Sequence, residues 1–352
     1  MKYKSFLFCV INLEPVPLPC RLSRPMPRVF SGIQPTGSLH LGNYLGAIQN
    51  WVGLQDKPGL DRFYCVVDYH AITIDYEPAK LAQQTLSMAR DLLACGLDPE
   101  RSTIFVQSQV PEHTELAWIF QATSTAYGEL QRMTQFKVKA EQQSFATAGI
   151  FTYPVLQAAD ILIYDADQVP VGQDQVQHLE LTREIARRFN NRYGELFPEV
   201  EPLLTTSPRI ASFRDPEQKM SKSSGEGHYL SMDGTEAEIR GMIQRAVTDV
   251  GPRPEGAKSP GVANLFTVLR ELNAPAHNEL EAHYERGTLK YVDLKGAVAE
   301  AVWTTAARIQ SRKAEFPPER VAEVLKAGAA RARPMAQKKL ADVRSRIGLA
   351  SL

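Results

Sequence analysis

Hydrophobic and polar positions divide this chain into short apolar runs that alternate with longer helical repeats. The apolar runs with the length of buried strands are 28–33, 63–67, 103–107 and 168–171. Residues 78–95 repeat their apolar positions at helical spacing and end before Gly96. Strands that alternate with helices in this way form parallel sheets. The pattern therefore predicts an α/β fold built on a parallel sheet.

The turn after the first strand is a candidate anion site. Residues 35–43 (PTGSLHLGN) open a helix whose apolar positions recur at 3.6-residue spacing. Free N–H groups at a helix N-terminus attract phosphate, and His40 and Asn43 add donors there. Gly37 and Gly42 let a ligand approach the backbone closely. Alone, this turn is equally consistent with an ordinary strand-to-helix connection.

A second candidate site lies far along the chain, at Lys219-Met220-Ser221-Lys222-Ser223. Two ammonium groups bracket two hydroxyls in a Gly/Ser-rich setting, which suits a mobile clamp for polyphosphate. Alone, these five residues are also typical of a solvated loop. Together with the upstream turn they indicate nucleotide chemistry.

Both segments resemble signature motifs of the class I aminoacyl-tRNA synthetases. His40-Leu41-Gly42-Asn43 stands at the "HIGH" motif, and Lys219 to Ser223 at the "KMSKS" motif. Five further segments resemble the tryptophanyl members in particular, and they are 30–35, 67–73, 128–137, 158–162 and 169–175. The similarity runs from about Met26 to the C-terminus. It implies a Rossmann-like parallel-sheet nucleotide-binding domain with a C-terminal all-helical domain.

The resemblance also implies a reaction and its participants. ATP, with Mg²⁺ on its phosphates, would activate L-tryptophan to the adenylate, and the acyl group would pass to tRNA(Trp). The catalytic residues would be His40, Asn43, Lys219 and Lys222. The ATP site would comprise Gln34, Pro35, Thr36, Gly42, Asn43, Gly172, Gln173, Asp174, Ile210, Lys219, Met220, Ser221, Lys222 and Ser223. The tryptophan site would comprise Phe30, Gly32, His70, Tyr153, Gln157, Asp160 and Gln175.

The position of Asp160 in the sequence also points to a buried, functional carboxylate on physical grounds, independently of the resemblance. Residues 152–164 form an apolar helical pattern, so the Asp160 carboxylate would be costly there unless a partner satisfies it. An exposed position on the polar side of the helix is the alternative. By resemblance, Asp160 accepts the indole N–H of tryptophan. His70 and Tyr153 would be pocket walls, although either is also consistent with an ordinary core residue.

Two positions depart from the bacterial tryptophan pattern. Gln157 stands where a Met usually packs on the indole, and Gln173 replaces an acidic residue. A Gln three residues before the Asp is also similar to tyrosyl-tRNA synthetases, so tyrosine is the alternative substrate. A non-catalytic paralogue that senses tryptophan or nucleotide, and a small nucleotidyltransferase, are alternatives of other classes. The intact His40 and clamp lysines argue against the first, and the helical C-terminal region against the second.

The resemblance suggests domain bounds. Residues 26–211 would be the catalytic domain, with a short connecting insert at about 111–149. Residues 212–250 would carry the clamp and a linker helix, and 251–352 a helical anticodon-recognition domain. From Glu319 to Leu352, eight Lys or Arg accompany three acids, which suits either tRNA phosphates or a solvated helix face. Pro334 is expected to divide that segment into two helices.

Composition adds limits rather than function. The 352 residues are 43% hydrophobic, and 40 Lys plus Arg balance 40 Asp plus Glu, so any RNA-binding surface must be local. The four cysteines form no C-x-x-C pair, which predicts no metal site and reduced thiols in a cytoplasmic protein. Residues 1–25 are expected to be a disordered extension or a start called too early, and an organellar presequence, suggested by Arg21, Arg24 and Arg28, is the alternative. We expect no membrane-spanning segment. By resemblance, we expect the protein to form a homodimer.

Overall fold

The computed structural model describes residues 26–133, 145–172, 176–204, 208–225, 227–248 and 257–350. Five parallel strands form one sheet in the order β3-β2-β1-β4-β5. The strands are β1 (Arg28–Ile33), β2 (Asp61–Val66), β3 (Thr103–Val106), β4 (Gln168–Val171) and β5 (Glu201–Leu204). The predicted parallel sheet is confirmed, and its strand order places a topological switch between β1 and β4.

Helices follow the strands and then continue alone toward the C-terminus. In the sheet region they are α1 (Leu41–Asn43), α2 (Gln49–Leu54), α3 (Asp68–Ala71), α4 (Pro78–Cys95), α5 (Glu112–Thr123), α6 (Tyr127–Arg132), α7 (Ala148–Leu162) and α8 (Val176–Tyr193). Beyond the clamp they are α9 (Glu236–Gln244), α10 (Pro260–Leu272), α11 (Ala274–Glu285), α12 (Tyr291–Lys313) and α13 (Pro318–Ile347). A π-helical turn, Tyr44–Ile48, joins α1 to α2.

The sheet separates two hydrophobic clusters because successive side chains of a strand point to opposite faces. On β2, Phe63 and Cys65 pack into one cluster with Phe105, while Tyr64 and Val66 pack into the other. The second cluster continues without a break into α10 and α12. The helical region therefore shares a core with one face of the sheet.

Helix α13 returns from the helical region to cover the edge strand β3. Four of its basic residues form ion pairs with the sheet region, namely Arg331 with Asp61, Arg333 with Glu112, Lys339 with Asp165 and Arg344 with Glu115. These intramolecular pairs are a use of the basic segment that neither sequence interpretation included.

The prediction that Pro334 divides this segment into two helices is wrong, because α13 is continuous through Pro334. Pro334 cannot donate a helical hydrogen bond to the Ala330 carbonyl, and both residues lie on the exposed face of the helix, where water can replace that bond. Ala332 and Ala336 on the other face are fully buried. Packing on the sheet side thus holds the helix across the missing hydrogen bond.

Other sequence expectations fare unevenly. The strands at 28–33, 63–67, 103–107 and 168–171 are confirmed to within two residues, but β5 was not predicted. Within the predicted insert, α5 and α6 are helical, and residues 134–144 lie outside the described part of the chain. Residues 1–25 also lie outside it. No helix of the described chain is long and apolar enough to cross a bilayer.

Gly328 sets the distance between α13 and β3, which gives a prediction about stability. A Cβ on Gly328 would lie 1.9 Å from the carbonyl oxygen of Ile104. Gly328→Ala should therefore destabilise the fold by about 1–3 kcal/mol or more, the usual cost of overpacking. Guanidinium unfolding, followed by circular dichroism, measures it. Gly296→Ala on α12, where a Cβ would meet no atom within 4 Å, is the control. It should be neutral or stabilising, and equal effects would contradict this account of Gly328.

Candidate active site

His40 begins the helix that carries the predicted anion-binding turn. Its ring nitrogen Nδ1 accepts a hydrogen bond from the Asn43 N–H at 3.2 Å, which makes His40 the helix N-cap. Its carbonyl oxygen accepts from the Asn43 and Tyr44 N–H groups at 2.9 and 3.1 Å. The predicted helix start is therefore confirmed. A capping Nδ1 must be unprotonated, so Nε2–H remains as the donor of this ring.

Electrostatics agree with a neutral imidazole at this position. Burial, together with the nearby charges of Lys222 and Lys219, lowers the pKa of His40 to about 4. His40 is 8% exposed. At neutral pH it therefore offers a hydrogen bond rather than a positive charge.

The clamp segment lies directly against this helix start. Met220 is buried, and its N–H donates to the Ile210 carbonyl at 2.9 Å. A Cβ on Gly42 would lie 3.1 Å from the His40 ring and 3.4 Å from the Cβ of Met220. Gly42 therefore lets the two motifs contact each other. The sequence analysis had explained the missing side chain at Gly42 by the close approach of a ligand.

Lys222 crosses to the first motif. Its Nζ donates to the Thr36 carbonyl at 2.6 Å, and it lies beside Gly37, whose φ of +80° favours glycine. Burial lowers the pKa of Lys222 to about 8, against the opposing charges of Asp91 and Asp233. Ammonium, imidazole and helix N-terminus thus converge on one place.

A short backbone pairing fixes the two halves of the site. The Leu41 N–H donates to the Leu230 carbonyl at 2.9 Å, and the Met232 N–H donates to the Leu39 carbonyl at 2.9 Å. His40 and Ser231 form the antiparallel bridge between these bonds. Residues that follow the clamp are therefore locked to residues that flank His40.

Asp160 lies at the centre of a buried polar network beside this site. It is 2% exposed, so the interpretation as an exposed residue is wrong. His113 Nδ1 lies 2.6 Å from Oδ1, and His70 Nε2 lies 2.9 Å from Oδ2. The Gln107 amide donates to both oxygens at 2.7 and 2.9 Å. Burial alone would raise the pKa of Asp160, but these histidines lower it below its usual value.

The network continues through two tyrosines. His113 Nε2 lies 2.7 Å from the Tyr164 hydroxyl. The ring of Tyr164 stacks on Phe30 and Phe63. The Tyr153 hydroxyl lies 2.8 Å from His178 Nε2, and its ring makes an edge contact with His70. Burial raises the pKa of Tyr153 to about 12. His70, Tyr153 and Asp160 are thus brought together, as the resemblance implies.

The remaining candidate residues fall into three groups. Gly32 is exposed at the carboxyl end of β1, while Pro35 is buried in the following loop and Gln34 is half-buried. Gln157 is half-buried on α7, one turn before Asp160, and Gly172 follows β4. Gln173, Asp174 and Gln175, and the side chain of Ser223, lie outside the described structure. Their assigned roles stay predictions.

Sequence reasoning missed Gln107, His113, Tyr164 and His178. Gln107 directly follows β3, and side chains at the carboxyl ends of parallel strands line the ligand crevice. That rule is a signal that could have found Gln107. His113 and His178 carry no comparable local signal, since each becomes a partner only through packing. Among the described residues, no group of three His, Cys, Asp or Glu is placed to hold a metal.

The pKa of Lys222 gives a prediction about ATP binding. In the ATP-free protein, Lys222 loses its proton above about pH 8. The phosphates favour the charged ammonium, so ATP binding at higher pH must be accompanied by the uptake of a proton on Lys222. Affinity for ATP should therefore fall above about pH 8, by at most about tenfold per pH unit. Calorimetric titration between pH 7 and pH 9.5 measures this. Lys222→Arg, which stays charged, should abolish the decline, and a decline of equal size in that variant would exclude Lys222 as its source.

Comparison with known proteins agrees with this geometry. Residues 23–306 match the family described as tRNA synthetases class I (W and Y). A tryptophan--tRNA ligase 2 of Streptomyces avermitilis is 46% identical over 92% of this chain and 97% of its own.

Two solved structures are similar over most of their length. The tryptophanyl-tRNA synthetase of Mycoplasma pneumoniae has a TM-score of 0.85 and 37% identity, covering 93% of this chain and 99% of its own. That of Campylobacter jejuni, complexed with ADP and tryptophan, has a TM-score of 0.77 and 34% identity, covering 92% and 100%. The chain belongs to the class I tRNA synthetases of the tryptophan and tyrosine family.

Proposed function

We propose that this chain is a tryptophan–tRNA ligase, which activates L-tryptophan with ATP and transfers it to tRNA(Trp). The observation that carries the proposal is the meeting of His40, Gly42 and Met220, residues of two motifs far apart in the chain. The names of the relatives favour tryptophan over tyrosine. They also leave the sensor and nucleotidyltransferase alternatives without support.

The reaction proceeds in two displacements. The tryptophan carboxylate attacks the α-phosphate of ATP and pyrophosphate leaves, after which the terminal ribose hydroxyl of the tRNA attacks the adenylate and AMP leaves. Neither step needs a side-chain nucleophile, so positioning and charge neutralisation dominate. Lys222 and Lys219 follow the β and γ phosphates, and Nε2–H of His40 donates to a phosphate oxygen. Mg²⁺ arrives on the ATP and keeps phosphate and water ligands.

The remaining ATP contacts follow the family pattern. Gln34, Pro35, Thr36, Asn43 and Ile210 border the nucleotide, with Ser221 and Ser223 beside the phosphates. The family pattern assigns Gly172, Gln173 and Asp174 to the ribose and Gln175 to the neighbourhood of the amino acid, and these assignments stay predictions. Gly172 supports this placement, because it follows β4 at the switch point of the sheet, where ligands of open α/β sheets bind.

Asp160 selects tryptophan by accepting the indole N–H. The Gln107 amide spans both carboxylate oxygens, so it can retain Oδ1 while the indole takes Oδ2. His70 and His113 hold the carboxylate in place and favour its charged form. Tyr153, Phe30, Gly32 and Gln157 form the surrounding walls.

Partners and compartment complete the proposal. The helices α10 to α12 supply the anticodon-recognition region, while α13 offers tRNA the exposed Arg320, Lys326 and Lys338. The described cysteines, Cys65 and Cys95, are free and buried, which suits the reducing cytoplasm.

Amino-acid-dependent pyrophosphate exchange tests the activity and the substrate together. The unmutated protein should exchange with tryptophan far faster than with tyrosine. Asp160→Asn keeps the side-chain shape but removes the charged acceptor, so KM for tryptophan should rise by about tenfold or more, the effect of losing roughly 1–3 kcal/mol. KM for ATP should stay close to its original value.

The melting temperature of Asp160→Asn serves as the control that this variant still folds. Faster exchange with tyrosine in the unmutated protein would overturn the substrate assignment. Exchange with neither amino acid would overturn the proposed function itself.

We further propose a homodimer, supported by exposed aromatic side chains on packed elements of the insert. Trp118 on α5 and Tyr127 on α6 are each 68% exposed, and Phe145 before α7 is 76% exposed. Exposed apolar groups on neighbouring elements mark protein interfaces. Sedimentation velocity should show a dimer, and Trp118→Glu should shift it toward monomer. Val292→Glu, at a 62% exposed position on α12, is the control and should leave the dimer intact, and monomeric unmutated protein would contradict the proposal.

A further inference from the structure

An ion cluster that runs from a buried carboxylate to an exposed one lies behind the nucleotide site, outside every motif described above. Asp91 on α4 is 1% exposed, and its Oδ1 lies 2.5 Å from Lys313 Nζ at the end of α12. The same ammonium contacts the carboxylate of Asp233, which follows the clamp. We call Asp91, Lys313 and Asp233 the charge bridge, because Lys313 joins two carboxylates from distant segments.

The end of α12 holds residues 232–234 through a second side chain as well. The Gln310 amide donates to the Met232 and Gly234 carbonyls at 2.8 and 3.0 Å. Arg90, beside Asp91, donates through Nη2 to the Lys313 carbonyl at 2.7 Å. Helix α12 is therefore fastened both to α4 and to the segment that follows the clamp.

That segment is the one that pairs with the start of the first motif. The Met232 N–H donates to the Leu39 carbonyl, and Ser231 bridges His40. Lys313 is thus connected to His40 through one side chain and one short backbone pairing. The Leu39 backbone N–H also acts on the other partner of Lys313, Asp91, by lowering the pKa of its carboxyl.

We propose that Lys313 is a positioning residue of the ATP site, which bridges Asp91 and Asp233 so that residues 230–232 stay paired with Leu39–Leu41. The pairing sets where His40 and Lys222 stand relative to the ATP phosphates. The inference rests on the proposed function for its assay.

Charge gives the bridge a second effect on the same site. Two carboxylates and one ammonium leave a net negative charge beside the site, with Asp91 buried and Asp233 exposed. Asp91 and Asp233 both act on Lys222 and favour its charged form. Loss of Lys313 would remove one positive charge and so favour the charged form of Lys222 further. A rise in KM for ATP in that variant would therefore report a change of position and not a loss of charge on Lys222.

A purely structural role is the competing explanation. Removing Lys313 alone leaves the Asp91 carboxylate buried without its cation, and such a change is strongly destabilising. Replacing both members of a buried ion pair by apolar side chains is often neutral or stabilising. The double replacement therefore separates stability from the position of residues 230–234.

Four variants test the inference by pyrophosphate exchange and thermal unfolding. Lys313→Met should raise KM for ATP by about tenfold, equal to about 1.4 kcal/mol, and lower the melting temperature, with KM for tryptophan unchanged. Asp91→Leu combined with Lys313→Met should restore the melting temperature while KM for ATP stays raised. Lys313→Arg should retain most of the ATP affinity. Lys295→Met, whose ammonium on the same helix donates to the Gln244 carbonyl, is the control and should leave both KM values unchanged.

The outcomes are distinct. A return of KM for ATP to its original value in the double variant would show that Lys313 acts through stability alone, which overturns the inference. An equal rise in Lys295→Met, or a parallel rise in KM for tryptophan, would overturn it as well. Absence of exchange in the unmutated protein would instead count against the proposed function.

Discussion

Two backbone hydrogen bonds, between Leu41 and Leu230 and between Met232 and Leu39, join the halves of the proposed nucleotide site. A helix N-terminus binds phosphate only while its N–H groups remain open to the ligand. At this helix start the pairing uses the Leu41 N–H and the His40 cap uses the Asn43 N–H, so the side chains of His40 and Lys222 supply donors beside it. His40 caps the helix by accepting the Asn43 N–H with Nδ1, and its Nε2 remains for the ligand. The geometry of the site thus depends on a contact that carries no chemistry of its own.

The pocket that we propose for the amino acid follows a different rule. Asp160 is charged and buried, and three side chains from three separate elements stabilise it, namely His70, Gln107 and His113. A buried carboxylate with its donors in place is rigid, since each partner also holds the others. The free-energy cost of desolvating that charge is met when the chain folds, so it does not recur when the ligand binds. Selectivity then rests on a preorganised acceptor.

Local sequence was sufficient for some of these features and insufficient for others. His40, Gly42 and Lys222 were predicted because a turn and a clamp are recognisable within a few residues. The parallel sheet followed from alternating patterns, but β5 contains Pro202, which is tolerated there because β5 is an edge strand. Pro334 misled because propensity opposed a helix that packing on β3 stabilises. The charge bridge joins residues from three distant segments, and no local pattern marks it.

The covered sheet edge has a consequence for how the protein is made. Helix α13 follows the other described elements along the chain, yet it shields β3, whose backbone groups would otherwise be open to pairing with another chain. During translation, β3 leaves the ribosome long before its cover, a delay of about ten seconds or more at the usual rate of synthesis. The nascent chain therefore displays an open strand edge through most of its production. Chains that stop before α13 leave this strand edge uncovered and are therefore the ones most exposed to aggregation.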